Sequence, residues 1–292
     1  TANFFEMFRE NGMTIKFAPK LVKNATTRDW IKKSVDVYDY IENKFPTYSD
    51  MDLVLFNNGF SRTQLGDEMG AQKKFQRVIR DFPESHLVPD SLLAVGEVYF
   101  NHKQFQMAYD EFQQIRKFPE SRVYPYGLYK GAWALYNLTM TAQALSQLEE
   151  VVTFSKANRE NNDGRLDLTR EALNDMVLYY EDVKKPDDAV DYFRKWGGDA
   201  LAGELVLKLG KLYQRHSRYA QLERVFSELV KSVPLAPERP QMHKDLMEGA
   251  ELSHNRERVL SHIETLAELC QDTSAWVLGQ KLESREKMKK GN

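Results

Sequence analysis

The sequence predicts an all-α chain built as a solenoid of antiparallel helix pairs. Three observations predict it. Phe82-Pro83-Glu84-Ser85 returns as Phe118-Pro119-Glu120-Ser121, with Phe45-Pro46-Thr47-Tyr48-Ser49 as a looser third copy, at intervals of 37 and 36 residues. That period is the length of two four-turn helices and their turns. Small and aromatic residues recur at fixed offsets inside each period. Only 10 Pro and 15 Gly occur in 292 residues, which suits long helices joined by short turns.

The offsets define the unit. Gly96 is followed by Tyr99 three residues on, Ala108 twelve on and Phe112 sixteen on. From Gly59 the same steps reach Ala71 and Phe75, with Pro83 twenty-four on. Gly210 leads to Tyr213, Leu222, Phe226 and Pro234, and Val177 to Tyr180, Ala189 and Phe193. Ala132 leads to Leu135, Ala144 and Leu148, a unit without the aromatics. Small residues let two helices approach closely, and the rings fill the gap beside them. Proline cannot continue a helix interior, so it marks the turn into the next pair.

Because each repeat packs only on its neighbours, residues 1–292 read as a single repeat domain despite their length. Clear repeats cover 50–234, and residues 1–49 form a degenerate unit or cap, with Arg28–Lys44 as its second helix. Phe4, Phe5, Met7 and Phe8 suit packing into the first unit and partner contact equally. The step from Ala132 to Val177 is 45 residues, and 155–164, rich in Asn and charge, is expected to be an inserted exposed loop. Gly197-Gly198 before Asp199 reads as a helix stop and a new cap. Residues 235–292 supply a degenerate pair, Glu238–Leu269, and a closing helix, Ser274–Lys290.

This arrangement resembles the tetratricopeptide repeat family over about 50–234. The resemblance implies a right-handed superhelix that binds other proteins on its concave surface. Val177 and Leu222 depart from the pattern, since small residues are usual there. The Phe-Pro-x-Ser turn resembles tetratricopeptide proteins of bacterial envelopes, including outer-membrane assembly and Tol-Pal accessory proteins. The runs Tyr129-Lys130-Gly131-Ala132-Trp133-Ala134-Leu135-Tyr136-Asn137-Leu138 and Leu168-Thr169-Arg170-Glu171-Ala172-Leu173-Asn174-Asp175 resemble deltaproteobacterial envelope proteins, some of them from gliding-motility complexes. A periplasmic or cell-envelope location follows as an expectation, with the cytoplasm as the alternative.

Candidate binding residues lie on the first helix of each pair. Leu128, Ala132 and Leu135 form one stripe, suited to closing the pair, while Tyr126, Tyr129, Trp133 and Tyr136 form another. Tyr and Trp give large contact area with few rotors and a polar tip. The same spacing also suits packing against neighbouring first helices. Glu97, Phe100 and Asn101 extend this surface on one side. Asn174, Leu178 and Glu181, then Lys211, Gln214 and Arg215, extend it on the other. Asn101, Asn137 and Asn174 each offer a donor and an acceptor to an extended peptide.

No catalytic constellation is expected. None of the six histidines lies four residues from another, which removes the helical His pair of metal sites, although His254 and His262 could share a face. No phosphate-binding glycine loop or nucleophile elbow occurs. Cys270, the single cysteine, reads as a small core residue. Lys287, Lys289 and Lys290 read as a fraying tail. With 41 basic against 43 acidic residues, nucleic acid is not an expected partner. The sequence therefore predicts a non-enzymatic interaction scaffold without cofactor or metal, open to self-association, with a peptide-recruiting or chaperone module as the alternative.

Overall fold

The computed structural model describes residues 26–161, 166–234 and 236–281. Phe4, Phe5, Met7, Phe8 and the lysines of the tail lie outside them. Two compact units divide the chain, 1–138 and 139–292.

Unit one contains α1 (Thr27–Lys44), α2 (Met51–Leu65), α3 (Glu68–Asp81), α4 (Val88–Asn101), α5 (Phe105–Gln114) and α6 (Tyr124–Asn137), with a 3-10 turn, Ile115–Lys117, after α5. Each helix packs on the next one in sequence. Local chemistry sets the starts. Thr26 and Asp29 form a capping box on α1, and the Asp67 side chain accepts from the Gly70 amide to start α3. Proline occupies the first turn of α4 and of α6, where its missing N–H costs nothing.

The recurring Phe-Pro-Glu-Ser phrase is turn chemistry. Ser85 and Ser121 each donate a backbone N–H to the Phe carbonyl three residues back, at 3.0 Å. Their hydroxyls accept from the backbone N–H of Leu87 and Val123, at 3.2 and 3.3 Å, just before the next helix begins. Ser85 also donates to Asp52 Oδ2 at 2.5 Å, which ties the turn to α2.

The fixed offsets are a packing contact. A Cβ placed on Gly59 or Gly96 would lie 2.8 or 2.4 Å from the ring of Phe75 or Phe112, sixteen residues on. Ala71 and Ala108, at the twelfth position, are fully buried. Beside this apolar seam, buried Asn58 donates to Asp39 Oδ1 at 2.7 Å, and Arg62 bridges Asp39 and Asp67, 2.6 Å from each. Burial opposes the Asp39 charge, but Asn58, Lys74 and Arg62 outweigh it and hold the pKa below the usual carboxylate value.

Unit two contains α7 (Thr141–Asn161), α8 (Thr169–Val183), α9 (Ala189–Arg215), α10 (Tyr219–Ser232), α11 (Arg239–Leu252) and α12 (Arg256–Leu269). A further helix begins at 275 and continues to 281, the last described residue. α9 is two helices joined at Gly198, whose φ of 71° and ψ of 174° break the hydrogen-bond ladder. The expected stop at Gly197-Gly198 is this break. The degenerate C-terminal pair is α11 packed on α12. Gly210 repeats the close approach, since a Cβ there would lie 2.0 Å from Phe226.

Two expectations are corrected. The insertion is not a loop over 155–161, because α7 continues to Asn161; 162–165 lie outside the described residues. Asn and charged residues suit the outer face of a helix as well as a loop. What commits them is tertiary: buried Ser155 accepts from the Leu168 N–H at 3.3 Å, and Lys156 Nζ donates to the Trp196 carbonyl at 2.6 Å. Cys270 is exposed, because it caps α12 beyond the buried Leu269.

A further regularity was not read from the sequence. Seven residues after Gly59, Gly96, Ala132, Gly210 and Met247 stand Gly66, Lys103, Thr139, Ser217 and His254, all left-handed, with φ of 82, 60, 62, 58 and 54°. Gly66, Lys103, Ser217 and His254 each close the turn between the two helices of a pair. The unit led by Val177 differs: Lys184 is extended at φ −120°, shortly before Pro186.

Gly96→Ala should lower stability by about 1–3 kcal/mol, because the new methyl overlaps Phe112. Gly203→Ala, where nothing lies within 4 Å of the new methyl, should raise it by about 0.5–1 kcal/mol. Denaturant midpoints of the two variants check this, and equal effects would remove the ring contact as the cause.

Candidate partner-binding face

The helical period divides α6 into two faces. Pro125, Gly127, Leu128, Gly131, Ala132, Ala134 and Leu135 are buried. Gly127 sits so near α5 and its turn that a Cβ there would lie 2.7 Å from Ile115 Cδ1. Tyr126, Tyr129, Trp133 and Tyr136 occupy the remaining sector, and all four are half-buried. They are therefore neither core nor free surface. Tyr126 and Tyr129 stack at 6.4 Å between centroids and 25° between planes. Trp133 and Tyr136 meet edge to face at 6.1 Å and 83°.

α4 and α6 bring Glu97, Phe100 and Tyr126 together around Lys130. Tyr126 Oη donates to Glu97 Oε1 at 3.4 Å. Lys130 completes the cluster and was overlooked in the sequence. Its Nζ lies 3.2 Å from Glu97 Oε1, 5.2 Å from the Tyr126 ring centre and 5.9 Å from that of Phe100. Burial works against the Lys130 charge, but Glu97 and Tyr126 outweigh it and hold the pKa above the ordinary lysine value. Its place four residues after Tyr126 and three before Trp133 was the available signal. The cluster offers aromatic edges beside a fixed, internally compensated charge pair.

The amides are less uniform. Asn101 and Asn137 end their helices exposed, and Asn137 turns Nδ2 back to donate to the Trp133 carbonyl at 2.8 Å. In unit two, Asn174 Oδ1 accepts from Lys208 Nζ at 2.7 Å. Leu178 is half-buried and Arg215 exposed, while Lys211 pairs with Asp245 and Gln214 donates to Glu248 at 2.9 Å.

Glu181 is corrected from surface to interior. It is 6% exposed, and His216 Nδ1 lies 2.8 Å from both its carboxylate oxygens. Arg218 donates to its carbonyl at 3.1 Å and lies 3.5 Å from Oε1. The partners stand 35 and 37 residues away, one repeat on, so spacing on a single helix could not reveal them. Burial, with Glu181 nearby, pushes the Tyr213 hydroxyl up to about 12. His254 and His262 do not share a face: His254 is in a left-handed turn, and His262 meets His243 instead. Among the described residues, no three His, Cys, Asp or Glu side chains group to hold a metal ion. No described helix is long and apolar enough to cross a membrane.

The tetratricopeptide repeat family profile matches residues 54–85, which run from α2 through α3 to the Ser85 turn. No curated protein matches the chain. Among solved structures, the chain is similar to MamA, at 11% identity and TM-score 0.37, covering 78% of this chain and 96% of that one. PilF of Pseudomonas aeruginosa is 15% identical at TM-score 0.37, over 88% of this chain and 99% of its own. The C-terminal part of a repeat-containing protein from Cytophaga hutchinsonii is 12% identical at TM-score 0.38, over 96% and 99%.

Glu181→Gln should cost about 1–3 kcal/mol of stability by weakening two charge-assisted contacts at a buried group. A denaturant midpoint unchanged from the parent protein would show that His216 and Arg218 do not depend on the charge.

Proposed function

We propose that the chain is a non-enzymatic protein-interaction scaffold of a bacterial envelope complex, and that α4 and α6 present its partner-binding face. The observation that carries this reading is the division of α6. Its small and aliphatic residues are buried, while four aromatic rings fill its other sector without being fully buried. Such rings can contribute a concentrated share of binding energy once a partner excludes the remaining water. Glu97 and Lys130 give the patch a polar edge that can fix orientation.

The match of residues 54–85 to a repeat that serves protein recognition supports the scaffold. The envelope setting, periplasmic or at the outer membrane, rests on the sequence resemblance of the Phe-Pro-x-Ser turns and of the runs 129–138 and 168–175. The state of the amides favours a scaffold over a peptide receptor. Asn137 satisfies its own helix and Asn174 is held by Lys208, so neither stands fully ready for a passing peptide backbone.

The test uses the chain as bait in an envelope extract, beside a Tyr129→Ala, Trp133→Ala variant checked for retained helix content by circular dichroism. Stoichiometric envelope partners should be captured, and the variant should bind them about tenfold to thirtyfold more weakly. A diffuse set of unfolded clients would favour the recruiting module. Capture of cytoplasmic proteins alone would remove the envelope assignment. Unfolding of the variant would return the aromatic stripe to the core.

A further inference from the structure

α11 and α12 make the last complete helix pair among the described residues. Four residues before the leading residue of each unit stands an aliphatic side chain: Leu55, Leu92, Leu128, Leu173 and Val206, all buried. In the last pair, led by Met247, that interior position holds His243, which is 8% exposed. The position fifteen residues after the leading one varies more: it holds Lys74, Glu111, Gln147, Tyr192 and buried Val225 in the earlier units and half-buried His262 here. A buried aliphatic side chain has been replaced by a titratable ring, set against a second one.

The rings meet at 5.6 Å between centroids and 51° between planes, with the Nδ1 atoms 3.4 Å apart. His243 Nε2 is buried without a hydrogen-bond partner. Arg239 on α11, Glu223 on α10 and Arg258 on α12 act on the pair, and Asp245 stands two residues on from His243. Lys211 pairs with Asp245, and Arg258 pairs with Glu223. Both carboxylates are thus matched by cations from other helices. Burial favours two neutral rings, and Glu223, the anion that acts on His262, is shared with Arg258.

We propose that His243 and His262 form an acid-operated latch on the C-terminal helix pair: neutral, they close α12 onto α11, and proton uptake releases α12. Release would uncover Val259 and Leu266, now half-buried, and add them to Leu260 and Ile263, which are already exposed. The surface offered at this end of the chain would then depend on pH.

The sign follows from the directions of the two shifts. Burial, then His262, then Arg239 lower His243 from 6.5 to about 4. Burial also lowers His262, with Arg258 helping and Glu223 opposing. A folded-state pKa below the unfolded value gives stability that is full above the unfolded pKa. That stability is lost as the pH falls through it toward the folded pKa. For His243 alone, moving from neutral pH to pH 5 should raise the open population of the pair about twenty- to thirtyfold.

The experiment is hydrogen exchange on the full chain at pH 7.5 and pH 5, corrected for intrinsic exchange. The parent should lose protection over 239–269 at pH 5, and more there than in α8 to α10. His243→Val, which installs the residue found at 206, should keep α11 and α12 protected at both values. His262→Val should reduce the acid effect independently, in case the first variant packs poorly. In the parent, both imidazole resonances should titrate below the ordinary histidine value. Ordinary titration of both rings, or acid loss spread evenly over the chain, would overturn the latch. So would tight zinc binding at pH 7.5 that requires both histidines, because the pair would then be a metal site.

Discussion

A ring laid against a glycine too small to hold it away is the contact on which three of the described helix pairs depend. Gly59 with Phe75, Gly96 with Phe112 and Gly210 with Phe226 allow approaches that a single methyl would block. Burying such a ring contributes about 1.5–3 kcal/mol, and the closeness it permits also brings the residue at the twelfth position, Ala71, Ala108 or Leu222, into the seam. In the pair led by Val177, where glycine is absent, the contact is rebuilt from rings. Beside Val177, Tyr180 lies 5.2 Å from Phe193 and 4.9 Å from Tyr192, and its hydroxyl donates to the Lys185 carbonyl at 2.6 Å. Burial is the largest cause that pushes the Tyr180 and Tyr192 hydroxyls above the usual tyrosine pKa.

Polar contacts hold consecutive pairs in register. Lys74 reaches Glu42, Tyr192 reaches Glu149, Arg224 reaches Asp187 and Arg258 reaches Glu223. Each joins one repeat to the one before it. The two exposed ion pairs among them, Arg224 with Asp187 and Arg258 with Glu223, add little to stability individually. Their role is geometric, since a helix that slid by one turn would lose its partner while keeping much of its apolar contact. The left-handed residues after Gly59, Gly96, Gly210 and Met247 act at the same level, fixing where the chain reverses.

Function on this scaffold arises from what the packing leaves over. α6 needs only its glycines, alanines and leucines to close on α5, and the helical period places its four aromatics on the other sector. α4 then supplies Glu97 and Phe100, which order Lys130 and Tyr126 without enclosing them. The C-terminal pair shows the opposite use of the same frame, where an interior position is given to a group that responds to acid.

The sequence by itself determined the helix pairs, their period, the turns after Phe82 and Phe118, the break at Gly198 and the composition of the aromatic stripe. These are legible because they depend on offsets within one or two helices, which a linear sequence displays directly. Tertiary structure decided the rest. Only the burial of Ser155 and the reach of Lys156 to Trp196 made the 155–161 segment helical. Only contact with the following repeat turned Glu181 from a surface carboxylate into a buried one, and brought His262 to His243 rather than to His254. In each case the deciding partner lies outside the element itself, 13 to 40 residues away where a hydrogen bond joins them. No period in the sequence encodes which of several polar residues will face it.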